Sequence, residues 1–166
     1  MTKERYERLM APIRRRPKLH TAVRLAAKWL PFVTAGGFCL MSLFLLLTAQ
    51  WRALVLFVLP CALCFGIVTV VRRALNRPRP YDALHFEPLC PYRPGKGKST
   101  PSRHTAAAFV IALAFWQFGM LWGLPFTVVA VLIGLSRVVC GMHWPHDVLL
   151  GVVAAVVCAV PFFFFL

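Results

Sequence analysis

The sequence predicts an all-α fold: a polytopic membrane helical bundle of about five transmembrane helices, preceded by an N-terminal interfacial amphipathic helix. Three observations predict it. Hydrophobic residues make up 60% of the 166 positions and charged residues only 14%, against about 25% charged in soluble domains. The apolar residues lie in long runs without charge, at 30–51, 53–71, 105–135 and after Asp147 to the last residue. A bilayer-spanning helix needs about 20 such residues. The basic residues flank these runs instead of striping a soluble helix face.

The elements follow in order. Residues 1–30 form a basic tail and an interfacial helix, and residues 31–166 form the membrane domain. The start of the chain reads as a solvated basic tail. From Leu19 to Leu30 an apolar face with Val23, Ala26, Ala27 and Leu30 predicts a helix lying in the membrane interface. The first span covers about 31–50. The second covers about 53–71 and stops at Arg72 and Arg73, with Pro60 tolerated inside it. Residues 72–104 hold a Pro-, Arg- and Lys-rich loop whose polar backbone cannot lie in lipid. The run 105–135 is too long for one span, about 46 Å of helix against a core of about 30 Å. The Gly123-Leu124-Pro125 break predicts a hairpin of spans at about 104–120 and 124–140, and the last span covers about 146–165.

The net charge of +14 first suggests nucleic acid. The placement of the cations beside apolar spans excludes it and favours anionic lipid headgroups and phosphate. Six cysteines are present. Most sit in apolar spans, where free Cys behaves as a small hydrophobe. The sequence leaves open whether Cys90 and Cys140 approach each other. It also leaves the oligomeric state open.

The span count brings three polar clusters to one membrane face: Arg72 to Pro80, Pro101 to His104, and Ser136 to Asp147. Ionisable groups at membrane depth are costly and mark function. Arginine forks match phosphate oxygens, while the plainer reading of Arg73 and Arg77 is a cationic flank anchoring the span. Thr100 or Ser102 can cap the helix that follows, and a helix N-terminus attracts anions. His104 at that edge is suited to protonate a leaving oxygen. Asp147 lies four residues after His143, so a turn of helix places both on one face. The carboxylate then fixes the imidazole tautomer and leaves the other nitrogen free to attack. The alternative role for Asp147 is to complement a helix N-terminus. His146 reads as an interfacial side chain. A metal held by His143 and His146 is disfavoured, because one carboxylate stands among many arginines.

These clusters resemble the signature of the type 2 phosphatidic acid phosphatase/haloperoxidase superfamily, K-x6-R-P, P-S-G-H and S-R-x5-H-x3-D. Arg72 to Pro80 matches the first with Arg for Lys. Pro101-Ser102-Arg103-His104 matches the second with Arg for Gly, and Ser136-Arg137 through His143 to Asp147 matches the third in full. The resemblance implies an integral membrane lipid phosphatase acting on a phosphomonoester or a diphosphate, of the phosphatidic acid, phosphatidylglycerol phosphate or polyprenyl diphosphate type. It implies His143 as nucleophile forming a phosphohistidine, His104 as general acid and Asp147 as its orienting partner. Arg72, Arg79, Arg137 and Ser102, with backbone N–H groups of residues 102–104, are implied as phosphate ligands, and Arg103 adds a further contact. No metal or other cofactor is implied. The implied partners are a lipid phosphate and the bilayer. The competing class is a catalytically silent membrane protein that binds anionic lipid. Residues 81–99 are the expected cover of the site, with Tyr81, Phe86, Tyr92, Lys96 and Lys98 as contacts. Nine Lys/Arg precede the first span, nine lie on the motif face and only Arg52 lies opposite. This predicts a multi-pass cell-membrane protein with its site on the cytoplasmic face.

Overall fold

The structure, a computed structural model, describes residues 1–92, 94 and 97–164. Among these it contains seven α-helices and one 3-10 turn: α1 Lys3–Arg14, α2 Pro17–Leu47, α3 Trp51–Leu75, α4 Pro80–Leu84, α5 Arg103–Phe115, the turn Trp116–Phe118, α6 Met120–Val139 and α7 Pro145–Phe163. Four stretches are long and apolar enough to cross a membrane: Pro17–Leu47, Trp51–Leu84, Met120–Val139 and Pro145–Phe163. Their outer faces expose large apolar side chains such as Leu40, Phe44, Val70, Leu132, Leu149 and Val157. In lipid that surface is solvated as it stands.

The short helix α5 is the centre of the bundle and packs against α3, α6 and α7. Its buried residues are mostly small: Thr105, Ala106, Ala108, Ala112 and Ala114, with Val110, Ile111 and Phe115. Small side chains let helix backbones approach closely, which is how helices associate in lipid. One close backbone approach is at Gly151 of α7, where an added Cβ would lie 2.9 Å from the Ser102 carbonyl oxygen and 3.2 Å from the Ala106 nitrogen. At the far end Phe115 stacks on Phe126 at 3.8 Å and meets Phe57 edge-on at 5.1 Å.

Three expectations need correction. The predicted interfacial helix and first span are one continuous helix, α2, of 31 residues. Pro31 does not break it, because the preceding turn stays helical and only the bond to the Ala27 carbonyl is lost. The start of the chain is not a solvated tail: α1 buries Tyr6, Met10 and Ile13 against the motif loop and the end of α6. The hairpin within 105–135 forms, but it turns at Gly119, not at Gly123-Leu124-Pro125. Gly119 adopts φ +95°, a conformation open to glycine, and Pro125 sits inside α6.

Candidate active site

His143 lies in a five-residue link between two helices, and each helix end holds it. α6 stops at Cys140 and is closed by Gly141, whose φ is +70°. The Gly141 N–H donates to the Val138 carbonyl at 2.9 Å and the Met142 N–H to the Arg137 carbonyl at 3.0 Å. This pair of bonds is a Schellman closure, which requires a left-handed residue at that position. The His143 N–H also donates to the Arg137 carbonyl, at 3.1 Å. α7 begins two residues later with Trp144 as its cap and Pro145 in its first turn. Asp147 supplies the carboxylate half of a capping box by accepting the Trp144 N–H at 3.1 Å.

Asp147 therefore sits at the start of α7 and beside His143 at once. Its Oδ2 caps α7 and also stands 3.4 Å from His143 Nδ1. The four-residue spacing works through this cap, because His143 precedes the helix instead of sharing a turn with Asp147. Asp147 is fully buried and takes further hydrogen bonds from the hydroxyls of Ser99 and Thr100. His146 Nε2 lies 3.3 Å from its other oxygen, and His146 itself is half exposed and stacks on Trp144. Ser99 Oγ is also 3.4 Å from His143 Nδ1. Nδ1 is thus the ring nitrogen that Asp147 and Ser99 hold.

His143 is 2% exposed. Burial lowers its pKa to about 4, with the charges of Arg79 and Arg72 acting in the same direction and Asp147 opposing them. The imidazole is therefore neutral at physiological pH, as a nucleophile must be.

The three polar clusters meet as expected. His104, at the start of α5, lies within electrostatic reach of Arg137, His143, Arg103 and Arg72. Arg72, in the last turn of α3, points inward and donates from Nη1 to the Pro101 carbonyl at 2.8 Å. Arg137 is 8% exposed and donates from Nη2 to the Ala27 carbonyl at 2.6 Å. The Nε atoms of Arg79 and Arg137 are buried with no hydrogen-bond partner among the described residues. Buried donors in that state call for an acceptor; with Arg79 acting electrostatically on His143 and Arg137 on His104, the setting suits an anion.

Ser102 is fully buried, with its hydroxyl receiving a bond from Thr105 Oγ1 at 2.9 Å. Its N–H already donates to the Asp147 carbonyl at 2.8 Å, so the expected phosphate contact through that N–H is not available. Arg103 opens α5 in ordinary helical conformation, so the Gly-to-Arg departure costs no backbone strain. Its guanidinium lies 5.5 Å over the Phe65 ring at the rim of the cluster. Of the expected cover, Phe86 stacks on Tyr6 and Tyr81 packs on Tyr92, while Lys98 is exposed and Lys96 lies outside the described residues.

Sequence reasoning missed three residues. Thr100 was legible only as a possible cap and Ser99 not at all, yet both bond Asp147. Tyr6 donates from its hydroxyl to the His143 carbonyl at 3.0 Å across 137 positions, and no sequence signal announces that pairing. Burial and the Asp147 charge both raise the Tyr6 pKa, so it remains a donor. Cys90 and Cys140 do approach, with sulfurs 2.8 Å apart.

Comparison with known proteins agrees with this architecture. The chain is 35% identical over 88 residues to undecaprenyl-diphosphatase BcrC of Bacillus subtilis, covering 53% of this chain and 45% of that one. It is 30% identical over 119 residues to a lipid A 1-phosphatase of Rhizobium johnstonii, covering 64% and 48%. It thus spans about half the length of these relatives. Among solved structures, Aquifex aeolicus LpxE matches with a TM-score of 0.75 at 24% identity, over 98% of this chain and 94% of that one. A transmembrane PAP2-type phosphatidylglycerolphosphate phosphatase from Bacillus subtilis matches with a TM-score of 0.51 at 24% identity, over 96% and 91%. At that identity both show a shared fold. The family model that matches is that of the PAP2 superfamily, whose members are phosphatases acting on lipid phosphate esters and diphosphates. It covers residues 53–165 and so contains all three polar clusters, while α1 and the whole of α2 lie before it. By that match this membrane bundle belongs to the PAP2 superfamily.

Proposed function

We propose that this protein hydrolyses a lipid phosphomonoester or diphosphate through a phosphohistidine on His143. The observation that carries the reading is the buried neutral imidazole, held at Nδ1 by Asp147 and facing arginines with unpartnered buried N–H groups. In the first step the Nε2 lone pair forms an N–P bond as the bond from phosphorus to the lipid-side oxygen breaks. The electron pair leaves on that oxygen, which takes a proton from His104, an imidazole whose protonated form is favoured by the negative phosphate once it is bound. In the second step water attacks phosphorus, its proton passes to His104, and the N–P electron pair returns to Nε2 as phosphate departs. Asp147 stabilises the imidazolium character that develops when Nε2 bonds to phosphorus. Arg79 and Arg137 hold the phosphoryl oxygens, Arg72 adds charge while bracing the Pro101 turn, and Ser102 supports them from beneath. Arg103 reaches an incoming phosphate only by leaving Phe65. Phosphoryl transfer asks mainly for such positioning and charge neutralisation.

The relatives named above act on an undecaprenyl diphosphate and on lipid A 1-phosphate, by their names, which supports a lipid phosphate as substrate class here. The reading also places the site on the cytoplasmic face. Among the described residues, all Lys/Arg except Arg52 lie on the side shared by α1 and the motif loop, and Tyr6 and His20 bond residues of that face.

Phosphate release from phosphatidic acid and from a polyprenyl diphosphate by purified protein tests the reaction. The His143→Ala variant is expected to be at least about 10³-fold slower, since removing a nucleophile removes the covalent route. Equal rates in the two proteins would overturn the enzyme reading in favour of a silent lipid binder.

A further inference from the structure

A second group of cations gathers beside the site, on the part of the chain that precedes the family match. Arg24 and Lys28 are one helical turn apart on α2 and flank Ala27. The Ala27 carbonyl is the one that receives Arg137 Nη2 at 2.6 Å. Pro31 explains why it is available, because proline has no N–H to bond the carbonyl four residues earlier. The proline thus lets Arg137 dock this face of α2 against the end of α6.

A cavity of about 620 Å³ opens there, lined by Thr21, Arg24, Lys28, Cys90, Arg137 and Met142 among others. Its lining contains no carboxylate and includes neither His143, His104 nor Arg79. It is therefore next to the position of the scissile phosphate, with Arg137 between them. Among the described residues neither Arg24 nor Lys28 is in an ion pair, both recorded pairs being histidine to Asp147. Arg137 is more than nine-tenths buried and its Nε has no partner among the described residues. The volume is that of a ligand pocket, and three uncompensated cations in a concave site select an anion.

We infer that Arg24 and Lys28, with Arg137, form a second phosphate-binding subsite that holds a phosphate of the substrate which His143 does not attack. The substrate is then a lipid bearing two phosphates, either adjacent in a diphosphate or separated on the headgroup. This rests on the proposed phosphatase reaction for its catalytic use, but not for its binding.

The test uses the full chain in phosphatidylcholine nanodiscs, as wild type, Arg24→Gln/Lys28→Gln, and Arg15→Ala/Lys18→Ala as a control for basic residues outside the cavity. kcat/KM is measured on a prenyl diphosphate, on a disaccharide lipid with phosphates on separate sugars, and on a prenyl monophosphate. Loss of two charge-assisted contacts is expected to lower the preference for a two-phosphate lipid over the monophosphate by at least about tenfold, chiefly through KM. A fall confined to the diphosphate assigns the subsite to an adjacent phosphate, and a fall confined to the disaccharide assigns it to a distant one. An equal loss on all three lipids, no loss on any, or the same fall in the control overturns the inference. If wild type turns over none of them, the reaction fails but the subsite is still decided, by titration with methylenediphosphonate and with inorganic phosphate. Methylenediphosphonate binding at least about tenfold weaker in the Gln variant sustains the subsite, and equal binding overturns it. The conservative Arg24→Lys/Lys28→Arg variant, expected to keep the preference, decides the matter if the Gln variant does not fold; loss of the preference there overturns the inference.

Discussion

His143 shows how a single side chain acquires its properties from several directions. Its backbone is fixed by the Arg137 carbonyl below and by the Tyr6 hydroxyl above. Its ring is fixed by Asp147, which Ser99, Thr100 and the Trp144 N–H hold in turn. Burial first, and then Arg79 and Arg72, lower its pKa to about 4. The sign follows directly. Above about pH 4 the imidazole is neutral and can attack, and below it the ring is protonated and cannot. The acid limb of kcat/KM is therefore expected to fall with unit slope through about pH 4, on a substrate whose own titration is corrected for. In Arg79→Gln the residual activity should show that limb at higher pH, because a cation that disfavoured protonation is gone. A limb centred near 6.5 in the wild type would contradict the assignment. Tyr6 offers a second check at this scale. Tyr6→Phe removes one buried hydrogen bond, worth about 0.5–1.5 kcal/mol. A modest loss of thermal stability is expected, together with a several-fold lower kcat as the His143 loop loosens. Unchanged kcat would reduce Tyr6 to a packing residue.

Among the elements, the junction of α6 and α7 does most of the positioning. Two helix ends meet within five residues, and the bonds that close them also aim the site. Gly141 is the pivot. Any other residue there adopts φ +70° at a cost of about 1–2 kcal/mol, and its Cβ would lie 2.7 Å from the Phe86 ring. Gly141→Ala is expected to destabilise the protein by at least that amount and to cut kcat by tenfold or more. Thermal melting and kinetics on the same preparation check it; a stable variant with full activity would show that the loop tolerates another closure. α5 contributes differently. Its alanines and Thr105 let α7 come close enough for the Ser102 N–H to bond the Asp147 carbonyl. The second polar cluster is thereby locked to the third. α1, expected to be solvated, instead packs over the link that carries His143. Its six Lys, Arg and Glu side chains hid three buried positions, Tyr6, Met10 and Ile13, at helical spacing.

At the scale of the whole molecule, the bundle joins a lipid-facing apolar surface to one strongly cationic end. The proposed cytoplasmic placement of that end follows from the charge asymmetry. Ala83, exposed on α4, offers a direct check. Ala83→Cys in intact cells should be protected from a membrane-impermeant maleimide, relative to wild type, and should label after lysis. Labelling in intact cells would reverse the orientation and leave the mechanism untouched.

Much of this protein was decided by its sequence. Charge-free runs of span length have no stable place except lipid, so the all-α membrane bundle was legible. The back-and-forth order of the helices was legible too, and with it the meeting of His104, His143, Asp147 and the arginines at one end of the bundle. Tertiary structure alone decided what surrounds them. Whether a proline breaks a helix depends on what takes up the freed carbonyl, and Arg137 takes up that of Ala27, 110 positions away. Whether a basic segment is solvated depends on a groove for its few apolar residues, which the motif loop and α6 supply together. Tyr6, Ser99 and Thr100 became part of the site through contacts made only when the chain is folded. Sequence periodicity reports which face of a helix is apolar, whereas pairings between distant segments are set by packing.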